Sequence, residues 1–175
     1  MWLRKMQPGA PSAVDCLNRT AGSRYPSLEP ILDAAELQRT AVDFNQWLAE
    51  ELNKKPVPSR TRALNFGLFE KETGVGLYMA ESKEWDSEDD DWACPPYDEP
   101  ARYAPRFKVY DQVQQWFQVN KDVGVLGSIG ITTFLIISAF PRLHPRQLPD
   151  VWVTTGFDDG ELYRMGRWTK DGWSE

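Results

Sequence analysis

ALNFGLFEKETGVGLYMAESKEWDSEDDDWACPPY, residues 63–97, is the stretch from which the rest of the chain can be read. Residues 62–71 alternate as a strand does. Leu64, Phe66 and Leu68 point one way; Asn65, Gly67 and Phe69 point the other. Glu72-Thr73-Gly74 signals a turn. Val75, Leu77 and Met79 then share one face of a second strand, with Tyr78 opposite. The two runs predict an antiparallel hairpin with a short connection. Behind it the character changes. Residues 81–99 hold nine carboxylates against a single base, Lys83, which is more negative charge than the −6 of the whole chain. The acidity is therefore local, and the remainder of the chain is slightly basic.

Outward from this stretch, residues 33–53 read as a helix. Asp33 can cap it and Glu36 stands where a capping box places its second member. Leu37, Val42, Phe44, Trp47, Leu48 and Leu52 give one apolar face, and Pro56 and Pro58 end the element. Residues 107–119 repeat Val109, Val113, Trp116 and Phe117 at helical spacing, and Asn120-Lys121-Asp122 reads as a break. Residues 123–140 are almost wholly apolar. Their length approaches a membrane span, but glycines and Thr132-Thr133 dilute it, so a buried core segment with no membrane association is the expectation; β-branched Thr132, Thr133, Ile136 and Ile137 favour a strand, while the length favours a helix over 126–140. Residues 150–165 form a second hairpin pattern: Val151, Val153 and Thr155 alternate with Trp152 and Thr154, and Asp158-Asp159-Gly160 supplies a turn in which glycine accepts positive φ. Residues 1–27, broken by Pro8, Gly9, Pro11, Gly22 and Pro26, read as a mobile leader ahead of a single domain, 28–175.

A chain of 175 residues can bury a core without staples. Net acidity argues against nucleic acid as a partner, because phosphate-backbone affinity comes from Lys and Arg. Cys16 and Cys94 make neither a CxxC nor a disulfide framework, and no apolar run follows the basic N-terminus, so a cytoplasmic protein is expected.

No residue carries a catalytic signature. The single histidine, His144, lies between prolines in PRLHPRQLP and reads as an exposed turn. Cys94 follows a run of carboxylates, the reverse of the electropositive surroundings that an activated thiol nucleophile needs. One His and two Cys disfavour zinc, and no phosphate-binding glycine motif is present. A calcium loop counted from Asp86 fails, with Asp91 where glycine belongs and Tyr97 where the bidentate Glu belongs. The acidic run itself is the candidate site. Asp86, Glu88, Asp89, Asp90 and Asp91 would steer and pair a basic protein surface, and the flanking Trp85 and Trp92 would add apolar contact. Trp92-Ala93-Cys94 reads equally as an inward-facing strand end. The competing function is a carboxylate-based, divalent-metal-dependent hydrolase using the same loop.

Two stretches, Ala63–Glu70 with Asp86–Cys94 (DSEDDDWAC), and Val153–Tyr163 (VTTGFDDGELY), resemble a group of small acidic bacterial α+β proteins, which in turn resemble the immunity proteins of polymorphic toxins. The resemblance spans roughly residues 35–165. It implies a cytoplasmic, non-enzymatic protein that binds and blocks a toxin domain, with no cofactor and no catalytic residues to carry over. The 27-residue leader and the long apolar segment at 123–140 depart from that pattern. The expected architecture is α+β, a mostly antiparallel sheet built from the two hairpins with helices packed largely on one face.

Overall fold

The computed structural model describes residues 10–24, 32–72, 74–94, 99–144 and 147–174. Helices α1 (Ala10–Arg24) and α2 (Ala34–Lys54) precede strands β1 (Ala63–Glu70), β2 (Val75–Ser82) and β3 (Arg102–Tyr103). Helices α3 (Lys108–Val119) and α4 (Lys121–Ala139) follow, then β4 (Val151–Phe157), β5 (Tyr163–Thr169) and β6 (Gly172–Ser174). The strands form one open sheet in the order β3-β2-β1-β4-β5-β6, antiparallel except where β1 and β4 run parallel. The fold is α+β, as the patterning predicts.

Strand alternation sorts the sheet into two faces. Leu64, Phe66 and Leu68 of β1 pair across register with Glu81, Met79 and Leu77 of β2 and with Val153, Thr155 and Phe157 of β4. This face meets the helices. Phe66 is fully buried, with Phe44 of α2 and Phe140 at ring separations of 5.8 and 5.9 Å. Burying one such ring contributes about 1.5–3 kcal/mol. Phe117 of α3 meets Phe157 at 6.2 Å, and Thr133 of α4 donates a hydrogen bond to the Met165 sulfur at 3.2 Å.

The helix starts follow from their caps. Asp33 accepts from the Ala35 amide at 2.9 Å. The reciprocal arm of the expected capping box is missing: Glu36 turns to Arg39, and the Asp33 amide donates to Gln112 instead. Asn120 is more than a break, because its side chain accepts from the Asp122 and Val123 amides and starts α4. Val42 lies off the buried face at 56 % exposure, where Thr40 and Ala41 take its place.

α4 begins at Lys121, five residues before the expected start. By length and composition it could cross a membrane, yet most of it is buried within the fold. Its glycines explain the close packing. A Cβ at Gly127 would stand 2.7 Å from the Trp116 ring of α3, so only glycine lets the two helices approach this far.

Residues 1–27 are not uniformly a mobile leader. Residues 10–24 form α1, which rests on α2 and α4 and buries Ala13, Val14, Leu17 and Ala21. Pro11 lies in the first turn, where its missing N–H costs nothing. The leader's other residues, 1–9 and 25–27, lie outside the described residues. The turn glycine of the second hairpin also differs from expectation. Among the described residues, positive φ occurs at Gly74 (89°) and Gly172 (105°), not at Gly160. Gly172 turns the chain into β6, which places Trp173 against Phe140 at 5.0 Å.

Candidate functional site

The sheet's second face carries the site. Ala63, Asn65 and Ala80 point away from the helices and are nonetheless buried. Trp152 and Thr154 point the same way from β4, as their alternation with Val151 and Val153 requires. Over this face crosses the connection from β2 to β3, which contains the acidic run.

Trp85 holds that connection down. Its ring lies flat on Trp152, with centroids 5.1 Å apart and planes 18° from parallel. Trp92 leans on Trp85 at 5.1 Å and 56°. Both expected anchors are half-buried against the sheet, so each serves the loop's own attachment first and offers only its remaining surface outward. Ala93 is buried and Cys94 exposed, in a single 3-10 turn rather than a strand end. Short local bonds shape the rest. Asp86 accepts from the Glu88 amide at 2.8 Å and Asp89 from the Asp91 amide at 2.9 Å, the Asx turns to which a short carboxylate side chain is suited. Asp90 reaches across to the Leu162 amide at 3.4 Å.

The nine carboxylates of residues 81–99 thus divide by role. Glu81 is buried and paired with Arg102. Glu99 pairs with Lys55 at 2.7 Å and Arg60 at 3.7 Å; the hydrogen bond from Lys55, reinforced by its charge, holds the Glu99 carboxyl below its usual range. Asp98 lies outside the described residues. Asp86, Glu88, Asp89, Asp90 and Asp91 are exposed, together with Glu84. The structure brings the five candidate acids into one turn beside both candidate tryptophans.

Sequence reasoning missed the seat of the loop. Arg164 and Arg167 of β5 place their guanidinium carbons 5.3 and 5.4 Å from the Trp152 ring, within cation–π range. The signal was present in the outward alternation of Trp152, but nothing in the sequence links it to Trp85, 67 positions earlier. On one side of the Trp85–Trp152 stack opens a cleft of about 420 Å³ lined by Arg62, Lys83, Glu84, Asp150 and Arg167. On the other lies a groove lined by Asp86, Glu88, Asp90, Leu162 and Arg164.

For metal chemistry the donors do not converge. Among the described residues no three His, Cys, Asp or Glu side chains are grouped to hold an ion. His144 is exposed, and its amide donates to Gln147 at 2.6 Å within a turn. Cys16 and Cys94 are free thiols. The arrangement offers a charged surface on a fixed loop. Compared with protein-family models, with curated proteins and with solved structures, the chain finds no match.

Proposed function

We propose that this chain is a non-enzymatic protein-binding module of the immunity or antitoxin type, docking a basic partner through Asp86, Glu88, Asp89, Asp90 and Asp91. The observation that carries the reading is the attachment of these exposed carboxylates. They sit on a turn pinned by the Trp85–Trp152 stack and by its own Asx bonds. A loop already ordered loses little conformational freedom on binding, so less of the contact energy is spent on ordering it. Like charges held this closely repel one another in the free protein. A cationic partner relieves that repulsion and is steered toward it. The exposed parts of Trp85 and Trp92 supply apolar contact at its margin. A toxin domain with a basic surface fits the resemblance, and the reading places the chain in the cytoplasm, where its two free thiols would stay reduced.

The test is capture from a lysate of the native cell with the tagged protein as bait, washed at low and high salt, followed by affinity measurement on the recovered partner. The proposal expects one stoichiometric basic protein, released by salt and lost when the five carboxylates are neutralised. It fails if reversing the charge of Glu88 and Asp91 leaves both the partner affinity and its salt dependence unchanged.

A further inference from the structure

We infer that the face bearing the acidic loop is self-complementary and pairs two copies of this chain, the loop of each copy seating in the basic cleft of the other. The juxtaposition is the evidence. One tryptophan, Trp85, belongs to both the cleft and the acidic groove, so regions of opposite charge lie side by side on one face. The loop presents five exposed carboxylates. The cleft presents Arg62, Lys83 and Arg167 against Glu84 and Asp150. Neither Arg62 nor the nearby Arg164 is ion-paired among the described residues, and Arg167 reaches Asp150 only at 3.9 Å. Trp152 holds both guanidiniums near its ring, Arg164 on the side of the acidic groove and Arg167 in the cleft, where its planar fork suits a carboxylate.

A two-fold axis requires the same patch on both partners, with region i meeting region j and j meeting i. A face with five loop carboxylates on one side of a rigid stack, and Arg62, Lys83 and Arg167 outnumbering Glu84 and Asp150 on the other, meets that requirement, and each pairing forms the loop–cleft contact twice. The pairing occupies the loop that the proposed function assigns to a basic partner. Self-association is then the resting state of that surface, and a partner binds by displacing the second copy. This goes beyond the proposed function and does not depend on it.

Sedimentation equilibrium of the full chain, at low salt and near 1 M salt where the screening length falls to about 3 Å, provides the test. Two variants accompany it, Glu88→Lys/Asp91→Lys in the loop and Arg62→Glu/Arg167→Glu in the cleft. Among the described residues, neither Glu88 nor Asp91 accepts from a backbone amide through its side chain. The wild type is expected at the mass of two chains in low salt and of one chain in high salt. Each variant alone is expected at one chain, because the loop variant keeps only one net negative charge of its loop's five and the cleft variant turns its cleft acidic, so both contacts lose their charge contrast. The equimolar mixture is expected at two chains, since one contact is then native and the other sets the introduced lysines against the introduced glutamates. Near-ultraviolet circular dichroism confirms that each variant is folded, and Arg62→Glu alone replaces the double cleft variant if that spectrum changes. A wild type at one chain in low salt overturns the inference. So does a dimer that persists in high salt or in either variant, and so does a mixture of folded variants that stays at one chain. The cleft variant retains a basic partner under the proposed function while losing the second copy, so failure of one idea is distinguishable from failure of the other.

Discussion

Replacing Arg102 by methionine tests how the β3 edge is held. Arg102 lies on the helix-facing side of the sheet at 7 % exposure, paired with Glu81 at 4 %. Its Nη1 also donates to the Glu51 and Lys55 carbonyls at 2.9 and 2.6 Å, so one guanidinium ties β2 and β3 to the C-terminal end of α2. There its charge suits the helix dipole. Truncation leaves the Glu81 carboxylate buried without its counter-charge, which costs about 3–5 kcal/mol. For a chain of this size each kcal/mol moves the melting temperature by about 2–4 °C, giving a fall of roughly 6–20 °C. Removing both charges with Arg102→Met/Glu81→Leu behaves differently. Among the described residues Glu81 Oε2 and Arg102 Nε lack hydrogen-bond partners, so the pair is incompletely satisfied and its desolvation is poorly offset. The double variant is expected within about 1–2 kcal/mol of wild type, the α2 carbonyls being the remaining loss. Urea unfolding followed by tryptophan fluorescence, with the m-value checked for constancy, measures both. A single variant that costs under about 1 kcal/mol, or a double variant worse than the single, refutes the reasoning.

Other consequences follow from the packing and the site. Gly127→Ala sets a Cβ 2.7 Å from the fully buried Trp116 ring. An overpacking cost of about 1–3 kcal/mol should exceed the helix-propensity gain of about 1 kcal/mol, lowering the thermal midpoint. Gly22→Ala in α1 meets nothing within 4 Å and should raise it. Trp85→Ala removes a stacked pair worth about 0.5–1.5 kcal/mol beyond its buried area. Hydrogen exchange should show protection lost over 83–94 and retained in β1; unchanged loop protection would mean that the stack does not hold the loop. Burial pushes the Tyr110 phenol well above its usual 10.0, only partly offset by the 2.7 Å hydrogen bond with Thr132. Because the folded-state pKa is the higher one, the stability it contributes is complete below pH 10 and is lost as pH rises beyond it. A tyrosinate absorbance titration should find the Tyr110 phenol silent until the protein unfolds, and Tyr110→Phe should lower the number of silent phenols by one.

Periodicity carried most of the fold. The two hairpins alternate cleanly, and α2 and α3 repeat their apolar residues at helical spacing, so local sequence sufficed for each. α1 was misread because Pro11 and Gly22 looked like interruptions, although one sits in the first turn and the other near the helix end. Its stripe of Ala13, Val14, Leu17 and Ala21 has helical spacing and was the available signal. β3 is two residues long, too short for any alternation to register. The parallel pairing of β1 with β4 is a tertiary choice between two strands each already satisfied on one edge. At the site, charge density identified the loop because charge is visible residue by residue. The seat of Trp152, Arg164 and Arg167 was not visible, because stacking across the sheet depends on which strands become neighbours.

That parallel seam also sets the order of events during synthesis. Thr154 bonds Asn65, and Thr155 bonds the Phe66 carbonyl, each across 89 residues. Long-range pairing of this kind slows folding, since the loop must close before the contact forms. The first hairpin therefore emerges from the ribosome with the β1 edge open and its apolar face only partly covered, by α2, until α4 and β4 have been made. Directly behind that hairpin, in chain order, comes the run of carboxylates. Exposed charge flanking an aggregation-prone strand acts as a gatekeeper against association between nascent chains. The same residues to which the proposed function assigns a partner thus repel the hairpins of neighbouring unfinished chains, and neutralising them is expected to lower the soluble yield.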